Sequence, residues 1–294
     1  MKTLDKKIEQ ILEKESIRQR NSAVFIASEN YASERVRNYS NSIFTNKYAE
    51  GYPGKRYYAG CENADEVENL AISRGKKLFS SKHINVQPHS GSQANMAAYV
   101  SLLKPGDKIL SLSLDHGGHL SHGHNVNFSG KIYEIHNYYL NRESELLDYD
   151  QINDIAEKVK PKLIICGYSA YSRIIDFNKF KTISQKVGSL LMADIAHIAG
   201  LVVSGKHPSP VGIADIITST THKTLRGPRG GLAIIREDLS SKYDRGVFPA
   251  IQGGPLMNTI LAKAAAFEEA LSDNFIEYSQ QIIDNAKVLA NLFI

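Results

Sequence analysis

Residues 214–231 read Ala214-Asp-Ile-Ile-Thr-Ser-Thr-Thr-His-Lys-Thr-Leu-Arg-Gly-Pro-Arg-Gly-Gly231, and the remainder of the chain can be organised around them. An apolar, β-branched run over residues 213–218 predicts a buried strand. The strand leads into a hydroxyl-rich turn that carries Lys223, with His222 and Arg226 close by in sequence. Because cationic neighbours lower the pKa of a lysine amine, Lys223 is a candidate Schiff-base nucleophile, although an exposed turn lysine is the common alternative.

The composition describes a globular protein and argues against two classes of partner. With 294 residues, 42% hydrophobic and 22% charged, the chain has enough apolar material for one large domain or two ordinary ones. A formal charge of +4, carried by basic residues scattered along the sequence, does not indicate a nucleic-acid partner. No apolar run approaches the ~20 residues that span a bilayer, so no membrane partner is expected.

The N-terminus and the cysteines indicate a cytoplasmic protein. Residues 1–20 place apolar residues such as Leu4 and Ile8 at helical spacing among charges, which predicts an amphipathic helix and not the continuous apolar core of a signal peptide. The two cysteines, Cys61 and Cys166, form neither a disulfide framework nor a metal-binding pattern, which favours a reducing compartment.

From residue 84 the sequence alternates between strand-like and helix-like segments. Apolar runs predict strands at 108–114, 131–138, 162–168, 190–196, 213–218 and 231–236. Amphipathic runs predict helices at 92–103, 149–159 and 177–187. This order is typical of an α/β fold with a mostly parallel sheet that is covered by helices on both faces.

Further helices and one loop flank the alternating segment. A helix that begins near Asn63 is predicted to carry these residues on its buried face: Val67, Leu70, Ala71 and Leu78. Two more helices are predicted at 255–271 and from 274 to the end. Residues 45–60 are rich in Gly, Pro and Tyr without a sustained period, which predicts an ordered loop and neither a helix nor a strand.

Two motifs have side chains that suit an anion or a planar ligand. Gln87-Pro-His-Ser-Gly-Ser-Gln-Ala-Asn95 turns directly into a helix, so Ser90, Ser92 and free N–H groups could bind an anion, although Ser-x-Ser is also an ordinary helix cap. In the segment 115–124, a histidine at the end of a strand could stack on a planar ligand. The alternative there is a non-catalytic metal-binding loop that uses His116, His119, His122 and His124.

A third motif, Ala193-Asp-Ile-Ala-His-Ile-Ala-Gly200, places Asp194 in an apolar strand. A lone buried carboxylate is costly, so a cationic or N–H partner is expected. An anion site, a stacking histidine, a buried carboxylate and an activated lysine together suit pyridoxal 5'-phosphate. In this interpretation Lys223 forms a Schiff base with the aldehyde, the helix N-terminus holds the phosphate, and Asp194 keeps the pyridine nitrogen protonated.

These motifs, with others, resemble in the same order and over essentially the whole chain those of the serine hydroxymethyltransferase family. The resembling segments are Glu29-Asn30, Thr45-Asn-Lys-Tyr-Ala-Glu-Gly-Tyr-Pro-Gly-Lys-Arg-Tyr-Tyr58, His89-Ser-Gly-Ser-Gln-Ala-Asn95, His116-Gly-Gly-His-Leu-Ser-His-Gly123, Tyr168-Ser-Ala-Tyr-Ser172, Asp194-Ile-Ala-His-Ile-Ala-Gly200 and Thr220-Thr-His-Lys-Thr-Leu-Arg-Gly-Pro-Arg-Gly-Gly231. The resemblance implies an aminotransferase-like fold of type I and a homodimer whose active sites are shared between subunits. It also implies transfer of the serine hydroxymethyl group to tetrahydrofolate, which gives glycine and 5,10-methylenetetrahydrofolate.

The resemblance also implies which residues contact the cofactor. They are Ser90, Gly91, Ser92, His119, Ser169, Asp194, His197, His222, Lys223, Gly253 and Gly254. Lys223 would bond to the cofactor, Asp194 would face the pyridine nitrogen, and His119 would stack on the ring. Ser169 and His197 would lie near the phenolate oxygen. The phosphate would be bound by the serines and Gly91, helped by the partner subunit's Gly253 and Gly254.

For the substrate, the resemblance implies contacts with Ser28, Tyr48, Glu50, Tyr58 and Arg229. Glu50 would be the acid–base group at the serine hydroxyl, with Tyr48 and Tyr58 beside it from the partner subunit. Ser28 would help to hold the substrate carboxylate, and Arg229 would support the site around the lysine. The implied catalytic residues are therefore Lys223, Glu50, His119, Asp194 and Tyr58.

The sequence departs from the family pattern in two places. Ala250-Ile251 stand where glycines are usual, and Ile251 does not easily adopt a positive φ. The family also continues into a smaller C-terminal domain that supplies an arginine for the substrate carboxylate, so we expect impaired activity from this chain alone.

The same interpretation divides the chain into three parts. Residues 1–62 form an N-terminal arm and active-site loop, residues 63–254 form the pyridoxal-phosphate-binding large domain, and residues 255–294 form helices that lead toward the C-terminal domain. A threonine-aldolase-like enzyme would share the lysine chemistry and is the alternative activity.

Overall fold

A central sheet of seven strands organises the computed structural model, which describes residues 5–293. The strands are β1 (Gly51–Tyr52), β2 (Lys55–Arg56), β3 (Ile84–Asn85), β4 (Lys108–Leu112), β5 (Glu134–Tyr138), β6 (Leu163–Cys166), β7 (Leu190–Asp194), β8 (Ile216–Thr220) and β9 (Gly231–Ile235). β1 and β2 form a separate hairpin, and the other seven follow the order β3-β9-β8-β7-β6-β4-β5. Strands β4 to β8 pair in parallel, whereas β9 is antiparallel to both of its neighbours. The predicted α/β fold with a mostly parallel sheet is confirmed.

Eleven helices lie within residues 5–293. They are α1 (Lys6–Asn21), α2 (Glu34–Ser40), α3 (Glu62–Phe79), α4 (Gly91–Leu102), α5 (Phe128–Ile132), α6 (Tyr149–Val159), α7 (Phe177–Val187), α8 (Ala199–Val203), α9 (Glu237–Arg245), α10 (Met257–Ala270) and α11 (Asp273–Phe293). The predicted helices at 149–159 and 177–187 are confirmed with those bounds. Their first turns are capped by Asp148 and Asp176, whose carboxylates accept backbone N–H bonds.

Two apolar layers sandwich the sheet because successive strand residues point to opposite faces. In β6, Ile164 and Cys166 pack into one layer, and Leu163 and Ile165 pack into the other. The first layer includes residues of α3, α6, α7 and α10, and the second includes residues of α4 and α9. Because both faces are covered, the strands read as continuous apolar runs, and the carboxyl ends of the parallel strands meet at one edge.

The strand predicted at 213–218 begins instead at Ile216, because the residue before it has another structural role. Asp215 is buried, accepts a hydrogen bond from Leu191 N at 2.8 Å and forms an ion pair with Lys181 at 2.9 Å. It also pairs with Arg236. These contacts join the amino ends of β7 and β8 and fix their register.

Three other predictions were wrong in detail. Lys131 lies in α5 and not in a strand, because Asn127 caps a helical turn there. Leu70 of α3 is 41% exposed, because it lies at the margin of the buried stripe. The loop at 45–60 includes the β1–β2 hairpin and the end of a short 3₁₀ turn, Ile43–Asn46. The other bounds predicted between residues 62 and 293 are confirmed to within two residues, whereas the N-terminal helix predicted over residues 1–20 begins at Lys6, after the cap residue Asp5.

The predicted N-terminal helix is present as α1, but its apolar side chains are not covered. Ile8, Ile11 and Leu12 are exposed, and no residue of α1 is buried. Leu4, which was predicted on the same face, lies outside the described residues. Across residues 5–293, no helix combines the length and the apolar character that crossing a bilayer would require.

Candidate active site

One cavity collects most of the predicted functional side chains. It has a volume of about 320 Å³ and lies beyond the carboxyl ends of β7 and β8, beside the N-terminus of α4. Sheets of this type bind ligands at that edge. The predicted site residues that line it are Ser28, Ser90, Gly91, Ser92, His119, Ser169, Asp194, His197, His222, Lys223 and Arg229.

Lys223 is held as a buried residue on the turn that follows β8. Its residue exposure is 8%, which overturns the alternative of a solvated turn lysine. Asn30 Nδ2 donates to the Lys223 carbonyl oxygen at 2.8 Å, and Arg226 N donates to the same oxygen at 3.0 Å. Burial lowers the pKa of the Lys223 amine, Asp194 opposes this shift, and Arg229 adds to it. A larger fraction of the amine is therefore neutral and nucleophilic near neutral pH.

Asp194 is the last residue of β7 and has the partners that a buried carboxylate needs. Its Oδ2 accepts hydrogen bonds from His122 Nε2 and from Asn95 Nδ2, both at 2.9 Å, and its Oδ1 accepts one from Ala196 N at 3.1 Å. Burial alone would raise the pKa of Asp194, but the hydrogen bonds from His122 and Asn95 outweigh burial and hold the pKa well below its usual range. The group is therefore a carboxylate at neutral pH.

His122 and Asn95 are site residues for which the sequence interpretation assigned no such role. His122 was considered only as a metal ligand, and Asn95 only as part of a helix start. Asn95 is a buried amide among small residues of α4, and such an amide normally bonds to something specific. That composition was the available signal, but it does not identify the partner.

Three histidines of the cavity are neutral at neutral pH. Burial lowers the pKa of His119, His197 and His222 to about 4 in each case. His119 Nδ1 accepts a hydrogen bond from Ser121 N at 3.1 Å, so its proton is assigned to Nε2. Uncharged rings can pack against a flat aromatic ligand without bringing a further positive charge beside Lys223.

The N-terminus of α4 forms the anion-binding end of the cavity. Ser90 caps the helix and accepts from Gln93 N at 3.2 Å, while the N–H groups of the first turn have no intrahelical partners. Glycine at position 91 allows the close approach of Thr220, because a Cβ there would lie 2.7 Å from Thr220 Cγ2 and would force that side chain to move. Thr220 Oγ1 is buried beside the cavity and has no hydrogen-bond partner among the described residues. The phosphate end, the lysine, the carboxylate and a cavity of this size fit pyridoxal phosphate.

Five predicted site residues lie elsewhere, in a group that we call the loop cluster: Tyr48, Glu50, Tyr58, Gly253 and Gly254. Tyr58 Oη donates to Glu50 Oε2 at 3.1 Å, and the rings of Tyr48 and Tyr58 meet edge to face at 5.5 Å. A Cβ on Gly253 would lie 3.0 Å from Glu50 Oε1. None of the five lines the cavity described above. Within one chain, the structure therefore brings the predicted residues together as two separate groups.

The buried guanidinium of Arg56 holds the backbone of the loop cluster in place. Arg56, with a side chain 3% exposed, donates to Ala49 O at 2.9 Å and to Gly51 O at 2.8 Å, the carbonyls on either side of Glu50. It also pairs with Glu68 at 2.6 Å. The resembling segment 45–58 included Arg56, but the sequence did not indicate which backbone groups it would bind.

The four histidines of segment 115–124 do not converge. His116 Nδ1 accepts from Leu140 N at 3.0 Å, His119 lines the cavity, and His122 is bonded to Asp194. Over residues 5–293, no three His, Cys, Asp or Glu side chains lie close enough together to ligate an ion. The metal-binding alternative is not favoured.

Ile251 is accommodated without the positive φ that a glycine could have supplied. It ends a wide helical turn, Gly246–Ile251, and packs at the margin of one apolar layer. Among the described residues with a side chain, only Ser80, Glu145, Lys160 and Arg226 have positive φ.

The family model described as serine hydroxymethyltransferase matches residues 1–294. The chain is 55% identical to serine hydroxymethyltransferase 1 of Pseudomonas fluorescens (strain Pf0-1), over 99% of this chain and 71% of that protein. It is 57% identical to the serine hydroxymethyltransferase of Onion yellows phytoplasma (strain OY-M), over 100% of this chain and 71% of that protein. For the Dehalococcoides mccartyi protein of the same name, identity is 54% over 99% of this chain and 70% of that protein.

Proposed function

The chain belongs to the serine hydroxymethyltransferase family, and we propose that it performs the family's reaction through the two groups of residues described above. Enzymes of this family are pyridoxal-phosphate-dependent transferases. They move the hydroxymethyl group of serine to tetrahydrofolate and release glycine and 5,10-methylenetetrahydrofolate. The observation that carries the assignment of residues is that the Lys223 amine, the Asp194 carboxylate and the N-terminus of α4 face one cavity.

The cavity residues would hold the cofactor by three contacts of different chemistry. Ser90, Gly91 and Ser92 would bind the phosphate with N–H and hydroxyl groups. The Asp194 carboxylate would hold a proton at the pyridine nitrogen, and Lys223 would attach to the aldehyde carbon. When bound, pyridoxal phosphate supplies an electron sink for cleavage of a bond at the amino-acid Cα.

The neutral side chains of the cavity would orient the cofactor ring and its oxygen. His119 would pack on one face of the ring, in the orientation set by Ser121. Ser169 and His197 would face the phenolate oxygen, where a hydroxyl and a neutral imidazole can each donate a hydrogen bond. His222, held by the N–H of Gly230 on its Nδ1 at 3.3 Å, would complete the wall behind Lys223.

The loop cluster would act on the cavity of a second subunit. Glu50 would exchange a proton with the serine hydroxyl, and Tyr58 would orient its carboxylate through their hydrogen bond. Gly253 and Gly254 would add to the phosphate contacts of that second subunit. Within the cavity, Ser28 would help to bind the substrate carboxylate and Arg229 would support Lys223.

A homodimer is supported by the surface as well as by the separation of the two groups. Tyr48 is 58% exposed beside Glu50, and the apolar side chains of α1 have no covering layer. Both features are normal where a second copy covers them. We also propose a cytoplasmic location, which the two free, buried thiols, Cys61 and Cys166, support. The three-part division at residues 62 and 254 remains a proposal.

Glycine formation from serine, measured with and without tetrahydrofolate, tests the function. The parent chain with added pyridoxal phosphate is expected to form glycine only when the folate is present, which a threonine-aldolase-like enzyme would not require. Lys223→Ala should abolish both turnover and the visible absorption of the bound cofactor. Lys82→Ala, which removes a lysine whose side chain is 83% exposed, is the matched control and should change neither. Equal behaviour of the two variants would contradict the assignment of Lys223.

A further inference from the structure

A second buried lysine, which the proposed reaction does not use, lies behind the anion-binding end of the cavity. Lys263 of α10 is 1% exposed. Its Nζ donates to Val86 O at 2.6 Å, to Gly231 O at 2.7 Å and to Pro88 O at 3.1 Å. An ammonium group has three N–H donors, so each one has its own carbonyl acceptor.

The three carbonyls belong to the two segments that form the anion-binding end. Val86 and Pro88 lead from β3 to Ser90, and Gly231 begins β9. The two segments are in close contact. Gly231 N donates to Pro88 O at 2.9 Å, and a Cβ on Gly231 would lie 2.3 Å from Ser90 O. A shift of either segment would therefore move the cap of α4.

The charge of Lys263 is not neutralised by a close carboxylate. Within residues 5–293, no carboxylate oxygen lies within 4.0 Å of the Lys263 amine, whose partners are the three backbone carbonyls. Burial lowers the pKa of Lys263 to about 7, and the more distant Glu68 opposes this shift. Loss of the proton would turn a nitrogen lone pair toward one of the three carbonyl oxygens, so the contacts favour the ammonium form.

We propose that Lys263 is a positioning residue for the phosphate end of the cofactor. It holds the β3–α4 segment and the start of β9 in one arrangement, and its positive charge adds to the favourable end of the α4 dipole. The inference rests on the proposed function, because the anion concerned is the cofactor phosphate. Lys263 does not line the cavity, so it acts through the cap at Ser90 and the first turn of α4.

Two aldehydes that differ only in the phosphate test this inference. The dissociation constants of pyridoxal phosphate and of pyridoxal would be measured by absorbance titration for the parent, for Lys263→Met and for a control, Lys181→Met. The control removes a lysine paired with buried Asp215 at the amino ends of β7 and β8, away from the cavity. Lys263→Met is expected to weaken pyridoxal phosphate by about 10- to 100-fold, the range typical of losing an outer-shell partner, and to change pyridoxal less than about twofold. Lys181→Met should alter neither constant.

The other possible results for Lys263→Met contradict the proposed role of Lys263. Equal weakening of both aldehydes in Lys263→Met would mean a general structural role, and unchanged binding of pyridoxal phosphate would mean no role; either overturns the inference. If Lys263→Met does not fold, Lys263→Gln retains N–H donors without the charge, and the same loss confined to pyridoxal phosphate is expected. A parent that binds both aldehydes equally well refutes this inference alone, whereas a parent that binds neither refutes the proposed function and the inference with it.

Discussion

The cavity around Lys223 and the loop cluster around Glu50 are both anchored by buried hydrogen bonds, yet they present their side chains differently. Lys223 and Asp194 face inward, where burial and fixed partners set their protonation states. Tyr58, whose hydroxyl donates a hydrogen bond to Glu50, is 49% exposed. Arg56 holds only the backbone carbonyls on either side of Glu50. The cavity encloses whatever it binds, whereas the exposed side chains of the loop cluster can enclose a ligand only if another protein surface covers them. In the proposed dimer, each chain would supply a receiving half, the cavity around Lys223, and a donated half, the loop cluster around Glu50.

The largest effect is expected from mixing variants that are damaged in different halves. Glu50→Gln and Lys223→Ala should each lose essentially all turnover as homodimers. After joint unfolding and refolding, random pairing gives mixed dimers with one intact site, so about a quarter of the parent activity should return. The control is a mixture of Lys223→Ala with Asp194→Asn, which damages the receiving half twice and should not recover. Recovery in the control, or none in the first mixture, would break the comparison.

Next in size is the effect of Asp194→Asn on the receiving half alone. The substitution removes the charge that His122 and Asn95 surround, and breaking a buried pair costs about 3–5 kcal/mol. If most of this cost falls on the transition state, turnover should fall by roughly 10²- to 10⁴-fold while cofactor still binds. Single-turnover kinetics would measure the change, with exposed Asp115→Asn as the control. A rate within about threefold of the parent would show that the carboxylate is merely structural.

The donated half should depend on Arg56 for stability. Arg56→Met leaves Glu68 as a buried carboxylate without its cation, so the free energy of unfolding should fall by about 3–5 kcal/mol in denaturant titrations. The double variant Arg56→Met/Glu68→Met also removes the buried Glu68 carboxylate. It leaves only Asp65, whose side chain is 25% exposed, without its ion-pair partner Arg56, so it should regain much of that loss. If the double variant were less stable than the single one, the ion pair would not be the anchor of the loop.

The smallest effect concerns acid stability of the receiving half. In an unfolded chain a histidine has a pKa near 6.5, whereas His119, His197 and His222 have pKa values of about 4 in the fold because of burial. Between these values the unfolded chain binds more protons, so stability falls as pH falls from about 6.5 to 4. Allowing for partial exposure, each ring should contribute about 1 kcal/mol of this loss by pH 5.

Urea titrations from pH 7 to pH 5 would measure that contribution as a difference. His197→Gln should flatten the pH dependence by about 1 kcal/mol relative to the parent. Burial raises the pKa of Asp244 to about 6, which acts in the opposite direction, but Asp244 is present in both proteins and cancels. An unchanged slope in the variant would mean that the ring is not kept neutral by the fold.

The sequence predicted the elements best where local chemistry decides them. α6 and α7 have aspartate caps and strong amphipathic stripes, so their bounds follow from nearby residues. The start of β8 was misplaced because Asp215 bonds to Leu191, Lys181 and Arg236, which are distant in sequence. Local propensity contains no information about such partners.

In the candidate site, too, local motifs were predictable from the sequence, whereas hydrogen bonds between residues distant in sequence were not. Motifs predicted the residues that line the cavity, including Lys223 and Ser90. They did not predict that His122 and Asn95, 72 and 99 residues before Asp194, would share its carboxylate. Lys263 was missed because its acceptors are backbone carbonyls, which every residue has.

The position of β3 beside β9 has a consequence for how the protein is made. Ile84 pairs with Ile234, and Lys263 closes the same region from still later in the chain. During synthesis the segment that becomes the anion-binding end therefore leaves the ribosome long before its neighbours exist. Pairings between such distant residues form slowly, and the unpaired edge of β8 stays open to association with other chains in the meantime. We therefore expect the cavity to be among the last parts of the described chain to form, because its anion-binding end is complete only after Gly231 and Lys263 have been synthesised.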